Sequence, residues 1–179
     1  FGTYTLARRA VGLTPVASSL AALFFALGGH MIGKVEQVNQ LQSLAWLPWL
    51  LLFANQFVVH VQSRSRVGLI IAVLLALQLL SGHTQTTFIT TTAILLWSFL
   101  THFSTQNNIN PRVRRNLKAV GVSFSRALFP LIPYLVLGAL LTGAQLLPTL
   151  ELTQHSLRSD GLPFQQAVSF SLHPLLIGW

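Results

Sequence analysis

The charged residues of this chain are few, and they sort by position between apolar runs. Nine of the eleven Lys and Arg residues (Arg8, Arg9, Arg64, Arg66, Arg112, Arg114, Arg115, Lys118 and Arg126) fall in every second gap. The other two, Lys34 and Arg158, lie in the alternate gaps, as do all three acids, Glu36, Glu151 and Asp160. Loops that alternate in this way are what the positive-inside rule produces when a chain crosses a bilayer repeatedly. The pattern predicts an all-α fold, a polytopic transmembrane helical bundle with its basic loops cytoplasmic.

Composition points the same way. Charged residues make up 8% of the chain and hydrophobic ones 52%, against about 25% charged in soluble domains. The net charge of +8 does not imply nucleic acid as a partner, because the bases are divided among loops instead of sharing one surface. Membrane lipids are the expected partners, since juxtamembrane bases sit well beside anionic headgroups. The chain has no cysteine, which excludes disulfides, thiolate metal sites and a cysteine nucleophile. No phosphate-binding, dinucleotide, zinc-protease or serine-hydrolase motif is present. The six histidines lack metal-ligand spacing.

Apolar runs place the spans at 16–33, 41–59, 67–82, 86–103 and 128–147, with a further one starting from about residue 167. The expected fold is therefore about five complete spans plus a partial sixth, in a single transmembrane domain covering 1–179. Trp46 and Trp49 near the start of the second run suit a membrane interface. The third and fourth runs are short for a hydrocarbon core that needs roughly 20 helical residues. Two remedies are expected to combine: Arg64 and Arg66 snorkel from the cytoplasmic end, and the connecting turn, 81–86, lies at membrane depth as a candidate cavity lining, where polar backbone must face protein or water. Phe1 is not an initiator Met, and Trp179 falls inside an apolar run. Both ends read as cut from a larger membrane protein.

With the basic loops inside, the opposite face collects His30, Lys34, Glu36, Gln37, Asn39, Gln40, His83, Gln85, Gln145, Glu151, Gln154, His155, Arg158 and Asp160. A carboxylate among them, Glu151, Glu36 or Asp160, is a candidate general base for a sugar or lipid hydroxyl or a ligand for a divalent cation. Arg158 and Lys34 suit a phosphate, and His83, Gln85 and Gln145 suit hydroxyl recognition. Each also fits a plain structural role: Glu36 beside Lys34 as a loop charge, Arg158 with Asp160 as a local pair, His30 and His83 as helix-end residues. Glu151 is the leading candidate because it follows a proline-terminated span, where an ionisable group is costly without a partner.

Four stretches in order carry a family likeness. They are Tyr4-Thr-Leu-Ala-Arg-Arg-Ala-Val-Gly-Leu13, Gln40-Leu-Gln-Ser-Leu-Ala-Trp-Leu-Pro-Trp49, Ser81-Gly-His-Thr-Gln85, and Gly143-Ala-Gln-Leu-Leu-Pro-Thr-Leu-Glu151 continuing to Ser156-Leu-Arg-Ser159. Together they resemble the bacterial YfhO-type membrane proteins, related to the GT-C class of polyprenyl-phosphate-dependent glycosyltransferases. The resemblance implies transfer of a sugar from a polyprenyl-phosphate carrier on the outer side of the bacterial cytoplasmic (inner) membrane. It also implies an essential acid in the first outer loop of the full protein, a position that would precede Phe1. Where relatives often carry Gly-His, this chain has Glu36-Gln37. The alternative expectation is a non-catalytic structural or accessory subunit of a larger membrane complex.

Overall fold

A computed structural model describes residues 1–109, 125 and 129–155, and every regular element among them is helical. Two compact units are distinguished, Phe1–Thr142 and Gly143–Trp179.

The first unit opens with α1, Gly2–Leu6, which runs on into a single π turn, Ala7–Val11. Gly12 ends it in the left-handed conformation at φ 80, which a residue without Cβ adopts freely. The Arg8 guanidinium donates to the Leu13 carbonyl at this terminus, a favourable place for a cation. Thr14 then caps α2, Pro15–Leu27, by accepting from the Ala17 N–H at 3.3 Å, with Pro15 in the first turn. That is the position where a missing N–H does no harm. Gly28 breaks the helix, and the short α3, Gly29–Ile32, follows.

The body of the unit is α4, Val38–Val59, α5, Arg64–Leu80, and α6, Thr84–Ile109. Side-chain bonds show the three to be antiparallel in succession. Gln40 near the start of α4 meets His83, just ahead of α6, while Asn55 late in α4 meets Thr101 late in α6. Leu50, Ala54 and Phe57 of α4 share a buried core with Val67, Ile71 and Leu75 of α5 and Ile94 of α6. These are helical spacings of three or four residues, one stripe per helix.

Against an adjacent face of α5 lies α7, Ile132–Leu141. Its contact is close because the facing residues are small. A Cβ at Gly138 would lie 2.9 Å from the Ala72 carbonyl oxygen, and one at Gly68 would lie 2.6 Å from the Tyr134 ring. Gly68, Ala72 and Ala76, all buried, recur every four residues on α5. In a bilayer, lipid tails are as apolar as leucine, so such small-residue approach, rather than apolar burial, holds helices together. Tyr134 also meets Phe57 edge-on, with centroids 5.6 Å apart. In the second unit, α8 spans Gly143–Gln154.

The structure corrects the expected number of spans. By length and apolarity, two helical segments among the described residues suffice to cross a membrane: Pro15–Ile32, which is α2 with α3, and Val38–Val59. A third arises if Phe129–Leu141 and Gly143–Leu152 count together as one. Five complete spans do not survive, for two reasons. Helix α5 has 17 residues, reaching only about 26 Å at 1.5 Å each. Helix α6 is long enough, but its threonines and the polar Gln-Asn-Asn near its end dilute the apolar stretch. The predicted span 128–147 is interrupted at Thr142, whose hydroxyl turns back to donate to the Ala139 carbonyl at 2.8 Å. The sixth run, from about residue 167, lies outside the described residues.

Candidate functional site at the polar end of the helices

The start of α4, the end of α5 and the start of α6 meet at one end of the first unit, and a hydrogen-bonded set of polar side chains joins them. The turn between α5 and α6 depends on Gly82 at φ 79. It delivers His83 to the head of α6, where the Thr86 backbone N–H donates to Nδ1 at 3.2 Å. An N–H can only donate, so Nδ1 is an acceptor and the neutral ring carries its proton on Nε2. That second nitrogen lies 2.8 Å from the side-chain amide of Gln40. Placed with its amide nitrogen toward Nε2, Gln40 would set donor against donor, so this tautomer is satisfied only by the flipped amide, its oxygen toward the ring. The Thr86 hydroxyl, 2.6 Å from Nδ1, completes the set. His83 is thus both a helix cap and a link between α4 and α6.

One helical turn deeper, Gln78 performs the same task in a dry setting. Its amide nitrogen donates to the Ser43 carbonyl at 2.8 Å and to the Thr90 hydroxyl at 2.9 Å, with all three residues buried. Its amide oxygen and the Ser43 hydroxyl are buried with no partner. Such leftover acceptors and donors are uncommon in folded proteins. Beside this node, a groove of about 380 Å³ lies between α4 and α5, lined by Gln42, Trp46, Leu77, Leu80 and Ser81. The α4 wall pairs the Trp46 ring with the Gln42 amide and the α5 wall pairs two leucines with the Ser81 hydroxyl, a combination suited to a sugar ring or an amphiphilic head.

The other sequence-derived candidates distribute as follows. Lys34 half-buries in the turn before α4 and donates to the Gln37 amide oxygen at 3.3 Å, not to Glu36. Glu36 is exposed in the same turn. Gln85 is exposed in the first turn of α6, between His83 and Thr86. Lys34, Glu36, His83 and Gln85 therefore share the unit's polar end. Gln145 and Glu151 belong to α8 in the second unit; Glu151 is exposed, and the Gln145 carbonyl accepts from the Thr149 hydroxyl at 2.7 Å. Arg158 and Asp160 lie outside the described residues. No group of three His, Cys, Asp or Glu side chains suited to a cation gathers among the described residues.

Residue types alone did not single out Gln78, Ser43 or the Trp46 groove. The available signal was a lone glutamine inside the apolar run of α5, since a buried amide needs partners on neighbouring helices. No family model matches the chain, and no curated protein or solved structure gives a significant match.

Proposed function

We propose that this chain is an integral membrane, glycosyltransferase-like protein. It uses a sugar carried on polyprenyl phosphate at the extracytoplasmic face of the bacterial cytoplasmic membrane, with the basic loops cytoplasmic. The observation that carries the reading is the polar end itself. The same end of the helices carries a hydrogen-bonded amide, imidazole and hydroxyl set (Gln40, His83, Thr86) and, separately, a groove lined by Trp46, Gln42 and Ser81. A lipid-linked sugar requires such a pairing, an apolar track for the isoprenoid beside donors and acceptors for hydroxyls. The likeness of four sequence stretches to the YfhO-type proteins supports the same reading.

In this mechanism a carboxylate, with Glu151 first and Glu36 and Asp160 as alternatives, removes the proton from the acceptor hydroxyl. The freed oxygen attacks the anomeric carbon, the bond to the phosphate oxygen breaks, and polyprenyl phosphate leaves with that electron pair. Within the first unit Lys34 neutralises the phosphate as a point charge and His83 and Gln85 hold hydroxyls; within the second, Arg158 and Gln145 are the candidates for the same two roles. The test is transfer of labelled sugar from a polyprenyl-phosphate donor by the full-length protein in liposomes. Glu151→Gln should lower the rate by roughly 100-fold, the lower end of what a general base contributes, and His83→Ala should raise the donor KM. Wild-type kinetics in both variants would remove these residues from the mechanism.

One observation favours the alternative, an accessory subunit of a larger membrane complex. Only 6% of the span Pro15–Ile32 is buried within the chain, leaving an apolar helix free for a neighbour. Co-purification with a second membrane protein at fixed stoichiometry, with no sugar transfer, would establish it.

A further inference from the structure

At the other end of the first unit, a cavity of about 510 Å³ opens between the π turn after α1, the last turns of α4 and the latter half of α6. Its wall includes Arg9, Asn55, Val59, Trp97 and Leu100. The polar part of that wall is rich in donors. Arg9 is exposed at the cavity and carries a guanidinium that cannot accept a hydrogen bond. The Asn55 amide oxygen is already engaged, accepting from the Thr101 hydroxyl at 3.4 Å, which leaves its N–H₂ as the unspent group. The Trp97 indole N–H, also donor only, is buried without an acceptor. Among the described residues no carboxylate lines the cavity. Glu36 is the sole acid of residues 1–142, and it precedes α4, while Asn55 lies about 25 Å further along that helix from Val38. The remaining wall is apolar, and Val59 and Leu100 are about half exposed there (48% and 51%).

A surplus of donors with no local acid calls for an oxyanion, and an apolar wall beside it calls for an amphiphile. We propose that this cavity binds the phosphate headgroup of an anionic membrane lipid. Arg9 holds the phosphate oxygens in a fork of parallel N–H bonds, and Asn55 donates beside it. The acyl chains lie against Val59, Trp97 and Leu100. Basic recesses between membrane helices take anionic headgroups by this chemistry. The assignment rests on the chain being a membrane protein and is independent of sugar transfer, since it concerns the opposite end of the helices.

The experiment is lipid retention by the full-length protein, measured by native mass spectrometry after exchange into micelles containing phosphatidylglycerol or phosphatidylcholine. Phosphatidylglycerol should stay bound and phosphatidylcholine should not. Arg9→Gln should weaken retention roughly five-fold, the scale of one basic residue at a lipid surface. Leu100→Trp, which fills the cavity and keeps Arg9, should abolish it. Arg66→Gln removes an equal charge from an exposed position at the same end and should leave retention unchanged. Equal loss in Arg66→Gln would overturn the proposal, because diffuse surface charge would then be responsible. Equal retention of the two lipids would overturn it as well. Displacement of the lipid by millimolar inorganic phosphate would also sink it, by assigning the site to a free anion.

Discussion

Gly138 and Gly68 decide how near α7 can come to α5. A Cβ on Gly138 would press on backbone, the Ala72 carbonyl oxygen at 2.9 Å, and on Leu75 at 3.1 Å. Backbone cannot rotate away, so Gly138→Ala forces the helices apart. The expected loss is about 1–3 kcal/mol, the range for overpacking, read as a lower midpoint in thermal unfolding of the detergent-solubilised protein. Gly143→Ala serves as the control, because a Cβ there meets nothing within 4 Å among the described residues. Its midpoint should stay within about 0.5 kcal/mol of wild type, as for substitutions that touch nothing. Gly138 meets the backbone of a neighbouring helix, whereas Gly143 does not among the described residues. Spacing along a single helix identifies small residues but not which of them a partner backbone approaches. Gly68 escaped notice for the same reason, since its partner, the Tyr134 ring, lies on an element 66 positions away in sequence. His83 is a comparable case. Its place after Gly82 marks a helix end, whereas its bond to Gln40, 43 residues earlier, has no local signature.

Helix α6 shows how an element can be polar in composition and still pack among apolar neighbours. Thr86, Thr87, Thr90 and Ser98 are buried along it, while Thr92 is exposed. Hydroxyls that bond back to a carbonyl one turn earlier are tolerated in apolar surroundings, as Thr92 does to Phe88 at 2.9 Å. Thr90 instead accepts from Gln78 across the helix interface. Thr90→Val should therefore remove a buried bond and destabilise by about 1–2 kcal/mol, whereas Thr92→Val should be within about 0.5 kcal/mol of neutral. Equal effects in the two variants would show that the Gln78 node does not join the helices. The second apolar run, 41–59, was readily legible because its apolar residues run nearly unbroken and it carries interface tryptophans, and it became α4 with three further residues at the front. The fourth was read as 86–103 but extends over 84–109. Its ends look like loop in composition, since Thr, Gln and Asn favour turns unless a helix supplies their backbone with partners. Apolar runs locate helices; they overcount spans when a helix, such as α5, is too short to cross.

At the scale of the whole molecule, the charge pattern becomes a statement about sides. Helix α4 has 22 residues, about 33 Å at 1.5 Å each, which matches a hydrocarbon core of about 30 Å. Lys34 and Glu36 precede it, and Arg64 and Arg66 follow it. Arg64 is held at its end by donating to the Phe57 carbonyl at 3.1 Å while lying over the Phe57 ring. If basic loops stay cytoplasmic, the two flanks of α4 must be reached from opposite sides. The absence of cysteine from residues 1–179 makes this directly testable with a membrane-impermeant maleimide, because each introduced thiol is then the one maleimide target within this segment. Val35 and Gln62 are both exposed, so neither substitution disturbs packing. Val35→Cys should label in intact cells, and Gln62→Cys only after permeabilisation. The reverse pattern would invert the orientation, moving the His83 end to the cytoplasm and the Arg9 cavity to the outside. An extracytoplasmic polyprenyl-phosphate donor would then meet the wrong end of the helices. Labelling of both in intact cells would instead mean that α4 does not cross the bilayer.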